Sequence, residues 1–257
     1  MQQRLVTAWI WFSTAAVALL WLPWLALVFV ATVPFDPGRY VVGRWFRRAA
    51  VAAVALNPLW RFRTSGVRVE DPRRPYVAVS NHESIADIFL ISHLPWEMKW
   101  LSKDANFRIP VMGWMMRMAG DIRLVRSDRN SRRLALDECR DRLQRKVSVM
   151  IFPEGTRSPT GEMLPFKDGA FRLAVETGTP ILPLVVAGTR DCIRKGSGVF
   201  NRANAEVRAL EPISTEGLDL EDVPQLRDRV RDLIGRERDR LFAELGLAAP
   251  GLDSRPA

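Results

Sequence analysis

The sequence predicts an α/β protein with a mostly parallel central sheet flanked by helices, preceded by a hydrophobic, membrane-anchoring helical segment. Three observations lead to this prediction: a long uncharged stretch near the N-terminus, alternating β-rich and helical stretches from residue 66 onward, and a globular composition. Of the 257 residues, 47% are hydrophobic and 26% are charged, so the chain can bury a sizeable core and is not intrinsically disordered.

The N-terminal segment contains no charged side chain from Leu5 to Phe35, a run of 31 residues. About 20 apolar residues suffice to cross a hydrocarbon core, and one straight helix over this run would be about 46 Å long against a core of about 30 Å. Pro23 lies near the middle, so a single kinked span or two short helices that enter and return both fit. A cleaved signal peptide is disfavoured, because the run is about twice the usual length of such a core.

Arginine residues follow this segment directly, at positions 39, 44, 47 and 48. By the positive-inside rule they keep its C-terminal end in the cytoplasm, which predicts a membrane protein with its active site on the cytoplasmic face, the inner membrane if the source is bacterial. The stretch 41–63 mixes arginine with aromatic residues and suits either a helix on anionic lipid or a domain-joining helix. We expect an anchoring and interfacial segment over 1–63, an α/β domain over 64–247, and a disordered tail over 248–257.

The elements of the α/β domain follow from the hydrophobic pattern. Short β-rich runs predict strands at 67–70, 76–80, 122–125, 147–152, 181–186 and 206–210. Helical stretches are predicted at 85–93, 109–119, 130–146, 168–177 and 223–245. Strands that alternate with helices are typical of parallel sheets.

The charge balance of 38 basic against 29 acidic residues gives a net charge of +9 and indicates an anionic partner. A nucleic acid is disfavoured, because the arginines are spread over several amphipathic segments without a recognition motif. Cys139 and Cys192 stand alone and the chain has only two histidines, so we expect no metal site and two reduced, buried thiols.

The first polar strand end follows the run YVAVS, where Asn81, His82, Ser84 and Asp87 lie within seven residues. If His82 lies in the loop and Asp87 in the first helical turn, the carboxylate can reach back to the imidazole. That pair is suited to take a proton from an alcohol. A helix cap formed by Ser84 and Asp87 is the equally open structural interpretation.

The second polar strand end follows VSVMIF and contains Glu154, Gly155, Thr156 and Arg157, with Lys167 at the next helix. Arginine, lysine, a hydroxyl and flexible backbone in one loop are suited to a phosphate monoester. A simple turn with a surface ion pair is the alternative.

Together the two stretches, NHxSxxD at 81–87 and FPEGTRS at 152–158, resemble the motifs of the glycerolipid acyltransferase superfamily, specifically the 1-acyl-sn-glycerol-3-phosphate (lysophosphatidic acid) acyltransferases. Two further blocks agree in order: Gly120-x-Ile122-x-Leu124-x-Arg126, and Ile181 to Leu184 around Pro183. In chain order, NHxSxxD is the first block, the Gly120 to Arg126 stretch the second, FPEGTRS the third and the stretch around Pro183 the fourth. The similarity covers residues 66–190. Asp121 adds an acid beside the second block.

The resemblance implies a role for each matching residue. His82 would be the general base and Asp87 its partner, with Asn81 and Ser84 as supporting motif residues. The phosphate and glycerol of the acceptor would be bound by residues of the second and third blocks and nearby lysines: Arg126, Glu154, Gly155, Thr156, Arg157, Lys103 and Lys167. Pro183 would have a structural or acyl-side role.

The implied reaction moves an acyl group from a thioester to the sn-2 hydroxyl of lysophosphatidic acid at the membrane. No metal or redox cofactor is implied, because acyl-CoA or acyl carrier protein (acyl-ACP) is a co-substrate. Backbone N–H groups after His82 are candidates for the oxyanion site. The sequence leaves open the donor, the oligomeric state and other acceptors such as glycerol-3-phosphate, lyso-ornithine lipid or other lysophospholipids. A non-catalytic lipid-binding membrane protein is the alternative from another class.

Overall fold

A seven-stranded sheet forms the centre of the molecule in the computed structural model, which describes residues 2–193 and 196–247. The strands are β1 (Trp60–Gly66), β2 (Val77–Ser80), β3 (Met98–Lys103), β4 (Ile122–Leu124), β5 (Ser148–Ile151), β6 (Ile181–Ala187) and β7 (Ala203–Ala209). Their order across the sheet is β1-β7-β6-β2-β5-β3-β4. All neighbouring strands run parallel except β6 and β7. The predicted α/β class and mostly parallel sheet are confirmed.

Helices cover both faces of this sheet and extend beyond it. They are α1 (Gln2–Thr32), α2 (Tyr40–Ala55), α3 (Ala86–Ile91), α4 (Asp104–Phe107), α5 (Met112–Ala119), α6 (Arg129–Gln144), α7 (Gly169–Thr177) and α8 (Val223–Glu244). Helices α6, α7 and α8 pack on one face, while α3, α2, α5 and α1 lie on the other. The alternation of β2 explains the two cores, because Val77 and Val79 face the α6–α8 layer while Ala78 faces α3.

The N-terminal helix α1 is one continuous helix with Pro23 inside it, and it lies along the domain rather than projecting from it. The Gln3 amide donates to Asn201 at 3.1 Å, Trp11 Nε1 donates to the Gly198 carbonyl at 3.1 Å, and Phe29 lies under the Arg39 guanidinium. Contacts therefore run from its first turns to its last. By length and composition, it is the one helix among the described residues that could cross a membrane.

Four buried charges, Arg47, Glu97, Lys99 and Asp121, join α2 to β3 and are called here the α2–β3 ion cluster. Lys99 Nζ donates to Glu97 Oε1 at 2.9 Å and to the Arg39 carbonyl at 2.7 Å, while Arg47 pairs with Asp121. Burial raises the pKa of Glu97 and lowers the pKa of Lys99, and their mutual attraction opposes both shifts. Asp121 is thus committed to Arg47 rather than facing the proposed anion site.

Three sequence predictions are wrong in detail. The strand predicted at 67–70 lies instead at 60–66, where it pairs with β7, so the helix expected over 41–63 ends at Ala55. Strand β3 was not predicted, because its central Lys99 breaks the apolar pattern. The domain division stays a prediction: residues 63 and 64 both lie in β1, and the predicted tail at 248–257 lies outside the described residues.

Candidate active site

The polar segments meet at one edge of the sheet, because the carboxyl ends of parallel strands lie together. His82 comes two residues after β2, and Pro153 comes two residues after β5, which is paired with β2. Lys103 ends β3, and Arg126 follows β4. All predicted site residues except Pro183, the one residue taken from the fourth block, therefore share this edge.

His82 and Asp87 form a direct pair, with His82 Nδ1 and Asp87 Oδ2 2.6 Å apart. Asp87 is fully buried, while the His82 side chain keeps 14% of its surface exposed. The same Oδ2 accepts the backbone N–H groups of Glu83 at 2.8 Å and Ser84 at 3.1 Å, and Oδ1 accepts the Thr189 hydroxyl. Three donors besides the imidazole therefore fix the carboxylate that orients His82.

The cap and the pair, which the sequence left as alternatives, are present together. Ser84 Oγ accepts the Ala86 N–H at 3.3 Å while Asp87 accepts the Ser84 N–H, a reciprocal pair that resembles a capping box although the N-cap position of α3 is Ile85. The backbone donors of Glu83, Ser84 and Ala86 are thereby engaged within the protein, so these three candidates for the oxyanion site are already occupied.

Asn81 and Ser84 hold the loop around His82 in place. The Asn81 amide donates to the Val186 carbonyl at 2.8 Å, and its oxygen accepts the Val186 N–H at 2.9 Å. This extends the pairing of β2 with β6 past the end of β2. Ser84 Oγ also donates to the Ile193 carbonyl at 3.3 Å. Both motif residues therefore support the loop and do not contact the imidazole.

Glu154 joins the two polar loops. Its Oε1 accepts the backbone N–H of His82 at 2.8 Å, and its Oε2 accepts the N–H of Leu164 at 2.9 Å. Burial raises the pKa of Glu154, and these two backbone donors oppose the shift. The Ser158 N–H donates to the His82 carbonyl at 3.3 Å. The loop with Arg157 is therefore fixed directly against the histidine.

The cationic and hydroxyl residues lie on the open side of this loop. Thr156 and Lys167 are exposed, and Arg157 is half-buried. On the neighbouring strand ends, Lys103 and Arg126 are also exposed. Gly155 has a φ of +73°, and a Cβ built there would lie 2.8 Å from Lys167 Nζ. Glycine thus permits the turn and lets the Lys167 ammonium approach the backbone.

Comparisons with known proteins identify the family. A family model described as Acyltransferase matches residues 61–187. The chain is 37% identical over 171 residues to a chloroplastic 1-acyl-sn-glycerol-3-phosphate acyltransferase of Brassica napus, covering 66% of this chain and 50% of that protein. Its identity to the enzyme of that name from Saccharomyces cerevisiae is 39% over 167 residues, covering 62% of this chain and 54% of that protein.

The crystal structure of the 1-acyl-sn-glycerophosphate acyltransferase PlsC from Thermotoga maritima is also similar. The TM-score is 0.79 at 26% identity, and the match covers 94% of this chain and 97% of that one. The chain belongs to the acyltransferase family that includes the 1-acyl-sn-glycerol-3-phosphate acyltransferases. This confirms the family predicted from the motifs. The chain spans about half the length of the first curated relatives it matches.

Three residues that contact the candidate active site were not predicted from the sequence. The Phe152 ring stacks on His82, with centroids 3.9 Å apart and planes 16° apart. Thr189, which bonds Asp87, lies two residues after β6, so the rule that polar residues gather at strand ends could have found it. Arg238 of α8 has no local signal, because only the tertiary fold brings it to the loops.

Arg238 connects both polar loops through one guanidinium. Its Nε donates to Glu83 Oε1 at 3.2 Å and its Nη2 donates to the Gly161 carbonyl at 2.6 Å. Burial raises the pKa of Glu83 to about 8, although Arg238 opposes that shift and Asp87 adds to it. Glu83 and Arg238 thus place a second carboxyl and a cation beside the His82–Asp87 pair.

A cavity of about 380 Å³ lies between α1, α2 and the sheet. Its lining is almost wholly apolar and includes Trp100, Met115 and Met116. Ile85, three residues after His82, also lines it. Trp100 contacts Phe152, the ring stacked on His82. Two lining residues therefore lie near the imidazole, and the Phe152 ring lies between Trp100 and His82.

Pro183 and the two cysteines form no hydrogen bond with His82 or Asp87 among the described residues. Pro183 is buried within β6, where it pairs with Val79, so its observed role is in the sheet. Cys139 and Cys192 are free and buried, and burial raises the pKa of both thiols, that of Cys139 to about 12. Among residues 2–193 and 196–247, no group of three or more His, Cys, Asp or Glu side chains could hold a metal ion.

Proposed function

We propose that this protein transfers an acyl group from a thioester to the sn-2 hydroxyl of lysophosphatidic acid, giving phosphatidic acid. One observation carries the proposal: the His82–Asp87 pair is tied through Glu154 to the loop that carries Thr156 and Arg157. A proton acceptor and an anion-binding loop are thereby held as one unit. The names of the relatives support the same acceptor.

His82 acts as the general base. With Nδ1 engaged by Asp87, Nε2 is the ring nitrogen that can take the hydroxyl proton. The hydroxyl oxygen attacks the thioester carbon, the C–S bond breaks, and the thiolate receives the proton from the imidazolium. Asp87 stabilises that imidazolium, and its buried, fixed oxygens need no reorganisation when the charge forms.

The cationic edge binds the acceptor's phosphate. Arg157, Arg126, Lys103 and Lys167 place up to four positive charges along the ends of neighbouring strands. Arginine forks match phosphate oxygens, while lysine adds charge without fixed geometry. Glu154, whose two oxygens are engaged by backbone donors, orders the loop from within rather than contacting the hydroxyl.

The apolar cavity holds an acyl chain next to the base. Its lining residues from α1 and α2 also border the exposed apolar surface of α1, which includes Leu20, Leu27 and Val30. A helix that contacts the domain along its whole length and exposes such side chains suits the membrane surface. We place the active site on the cytoplasmic face, where the lipid acceptor resides, and the reaction needs no metal or redox cofactor.

The test is thiol release by the purified protein in detergent with an acyl thioester donor and three acceptors. Lysophosphatidic acid should support turnover, and lysophosphatidylcholine and glycerol-3-phosphate should be at least about ten-fold poorer, because one lacks the phosphate monoester and the other lacks the acyl chain. Arg157→Ala should chiefly raise the acceptor KM. Equal rates with lysophosphatidylcholine would reject phosphate monoester recognition.

A further inference from the structure

The first turns of α6 carry an exposed cationic surface that the proposed reaction does not use. We call Arg129, Arg132, Arg133 and the neighbouring Leu134 the α6 arginine surface. All three arginines are exposed, and Leu134 exposes 62% of its surface. Arg132 Nη1 donates to the Arg126 carbonyl at 2.6 Å, which joins this surface to the edge of the candidate site.

The distribution of charge along α6 is uneven. In its second half, Arg140 and Arg142 pair with Asp137 and Asp141, and Arg140 also reaches Glu176. None of the three arginines in the α6 arginine surface lies within 4.0 Å of a carboxylate of the described residues. Asp128, before the helix, accepts the Asn130 N–H, and Asp137, one turn after Arg133, pairs with Arg140.

Helix stability does not account for this arrangement. The N-terminus of a helix carries partial positive charge, so cations in its first turns are unfavourable by a few tenths of a kcal/mol to about 1 kcal/mol each. Arg129 lies in the first turn and opposes the helix, and none of the three arginines forms an ion pair with a carboxylate of the described residues that would account for its position. Their position is therefore explained by an anionic partner outside the chain.

The position of the α6 arginine surface on the molecule favours one class of anionic partner. Helix α6 packs on the opposite face of the sheet from α1 and α2, so a membrane held by α1 is not the nearest anionic surface. The surface is a convex helix with an exposed leucine among the arginines, which suits the face of a protein better than the phosphates of a nucleotide. Three strand spacings, roughly 14 Å, separate β4 from β2, so the thioester must reach His82 on a long arm.

We propose that the α6 arginine surface docks an acidic acyl carrier protein, whose acyl-phosphopantetheine arm delivers the thioester to His82. This inference rests on the proposed function and names its donor. Arginine–carboxylate contacts steer the carrier to the edge of the sheet, and Leu134 contacts an apolar residue among its acidic side chains.

The experiment compares kcat/KM for acyl-ACP and acyl-CoA, both with lysophosphatidic acid, in the full-length wild type and in R129E/R133E. The control is R229E/R236E, which reverses two exposed arginines of α8. We expect R129E/R133E to lower kcat/KM at least about ten-fold with acyl-ACP, mainly through KM, and less than two-fold with acyl-CoA. Its melting temperature should not fall, because glutamate suits the start of a helix. The control should change neither donor's value by more than two-fold.

The other outcomes overturn the inference. An equal loss with both donors would make the surface a site for the phosphates that the donors share. A loss of binding to phosphatidylglycerol vesicles, with acyl-ACP kinetics unchanged, would make it a lipid contact. Wild-type turnover with acyl-CoA alone would reject the docking but keep the proposed function, and turnover with neither donor would reject both.

Discussion

Two clusters of buried charge lie close to the same sheet and differ in one respect. In the α2–β3 ion cluster, every charge meets an opposite one, and no side chain exposes more than 6% of its surface. In the second, formed by His82, Asp87, Glu83 and Arg238 and called the histidine cluster, the imidazole keeps 14% of its surface exposed. Buried charge therefore does not by itself identify an active site. What distinguishes the second is a titratable group with one nitrogen held and the other available.

The two clusters also differ in what surrounds them. Gly43 allows α2 to approach the α2–β3 ion cluster, because a Cβ there would overlap the Glu97 carboxylate. The helix and the strand thus close over the charges. The histidine cluster is held from loops, through backbone donors to Asp87 and Glu154. The α2–β3 ion cluster joins a helix to a strand, while the histidine cluster orients the imidazole of His82.

The largest expected effect comes from changing the carboxylate that aims the imidazole. Asp87→Asn keeps the shape but can stabilise the wrong tautomer of His82 and cannot stabilise the imidazolium, so kcat should fall by about 100- to 10,000-fold. Steady-state thiol release measures it. Asp191→Asn, at an exposed neighbour, is the control and should keep wild-type kcat. A D87N kcat within three-fold of wild type would show that the pair does not assist the reaction.

An intermediate effect, on stability rather than turnover, is expected in the α2–β3 ion cluster. Lys99→Met removes a partner of buried Glu97 and should lower the free energy of unfolding by about 3–5 kcal/mol, and E97Q/K99M should recover part of it. Chemical denaturation measures the loss, with exposed Lys146→Met as the control. The kcat of folded K99M should stay near wild type. A large fall in kcat without a loss of stability would show that Lys99 serves the reaction and not the stability of the fold.

The smallest effect concerns pH. Burial raises the pKa of Glu83 to about 8, above its ordinary value, so the folded state keeps this proton longer than the unfolded state. The stability that the group contributes is complete below about pH 4.5 and is lost as the pH rises to about 8. Between pH 5 and pH 8, wild type should therefore lose on the order of 1–4 kcal/mol more stability than Glu83→Gln. Glu162→Gln, at an exposed neighbour, should follow wild type. Parallel curves for wild type and E83Q would contradict the shift.

The two clusters also show which features of the molecule could be predicted from the sequence and which could not. His82 and Asp87 are five residues apart, and the helix cap that brings them together is a local feature, so the pair could be predicted. Strand β3 could not, because Lys99 within it looks solvent-exposed until Glu97 and the Arg39 carbonyl at the start of α2 are seen to bind its ammonium in the interior. Arg238 lies 155 residues from its partner Glu83, beyond any local pattern. Local chemistry was predictable and long-range pairing of charge was not.

The most direct test of the account is the kcat of His82→Ala with lysophosphatidic acid and a saturating acyl thioester, measured beside its thermal unfolding. The account predicts a fall of about 100- to 10,000-fold in kcat, because only the histidine cluster serves the reaction. The melting temperature should stay within about 4 °C of wild type, since His82 is partly exposed and carries little of the core. A folded H82A protein that keeps more than about a tenth of the wild-type kcat would remove His82 from the role of base.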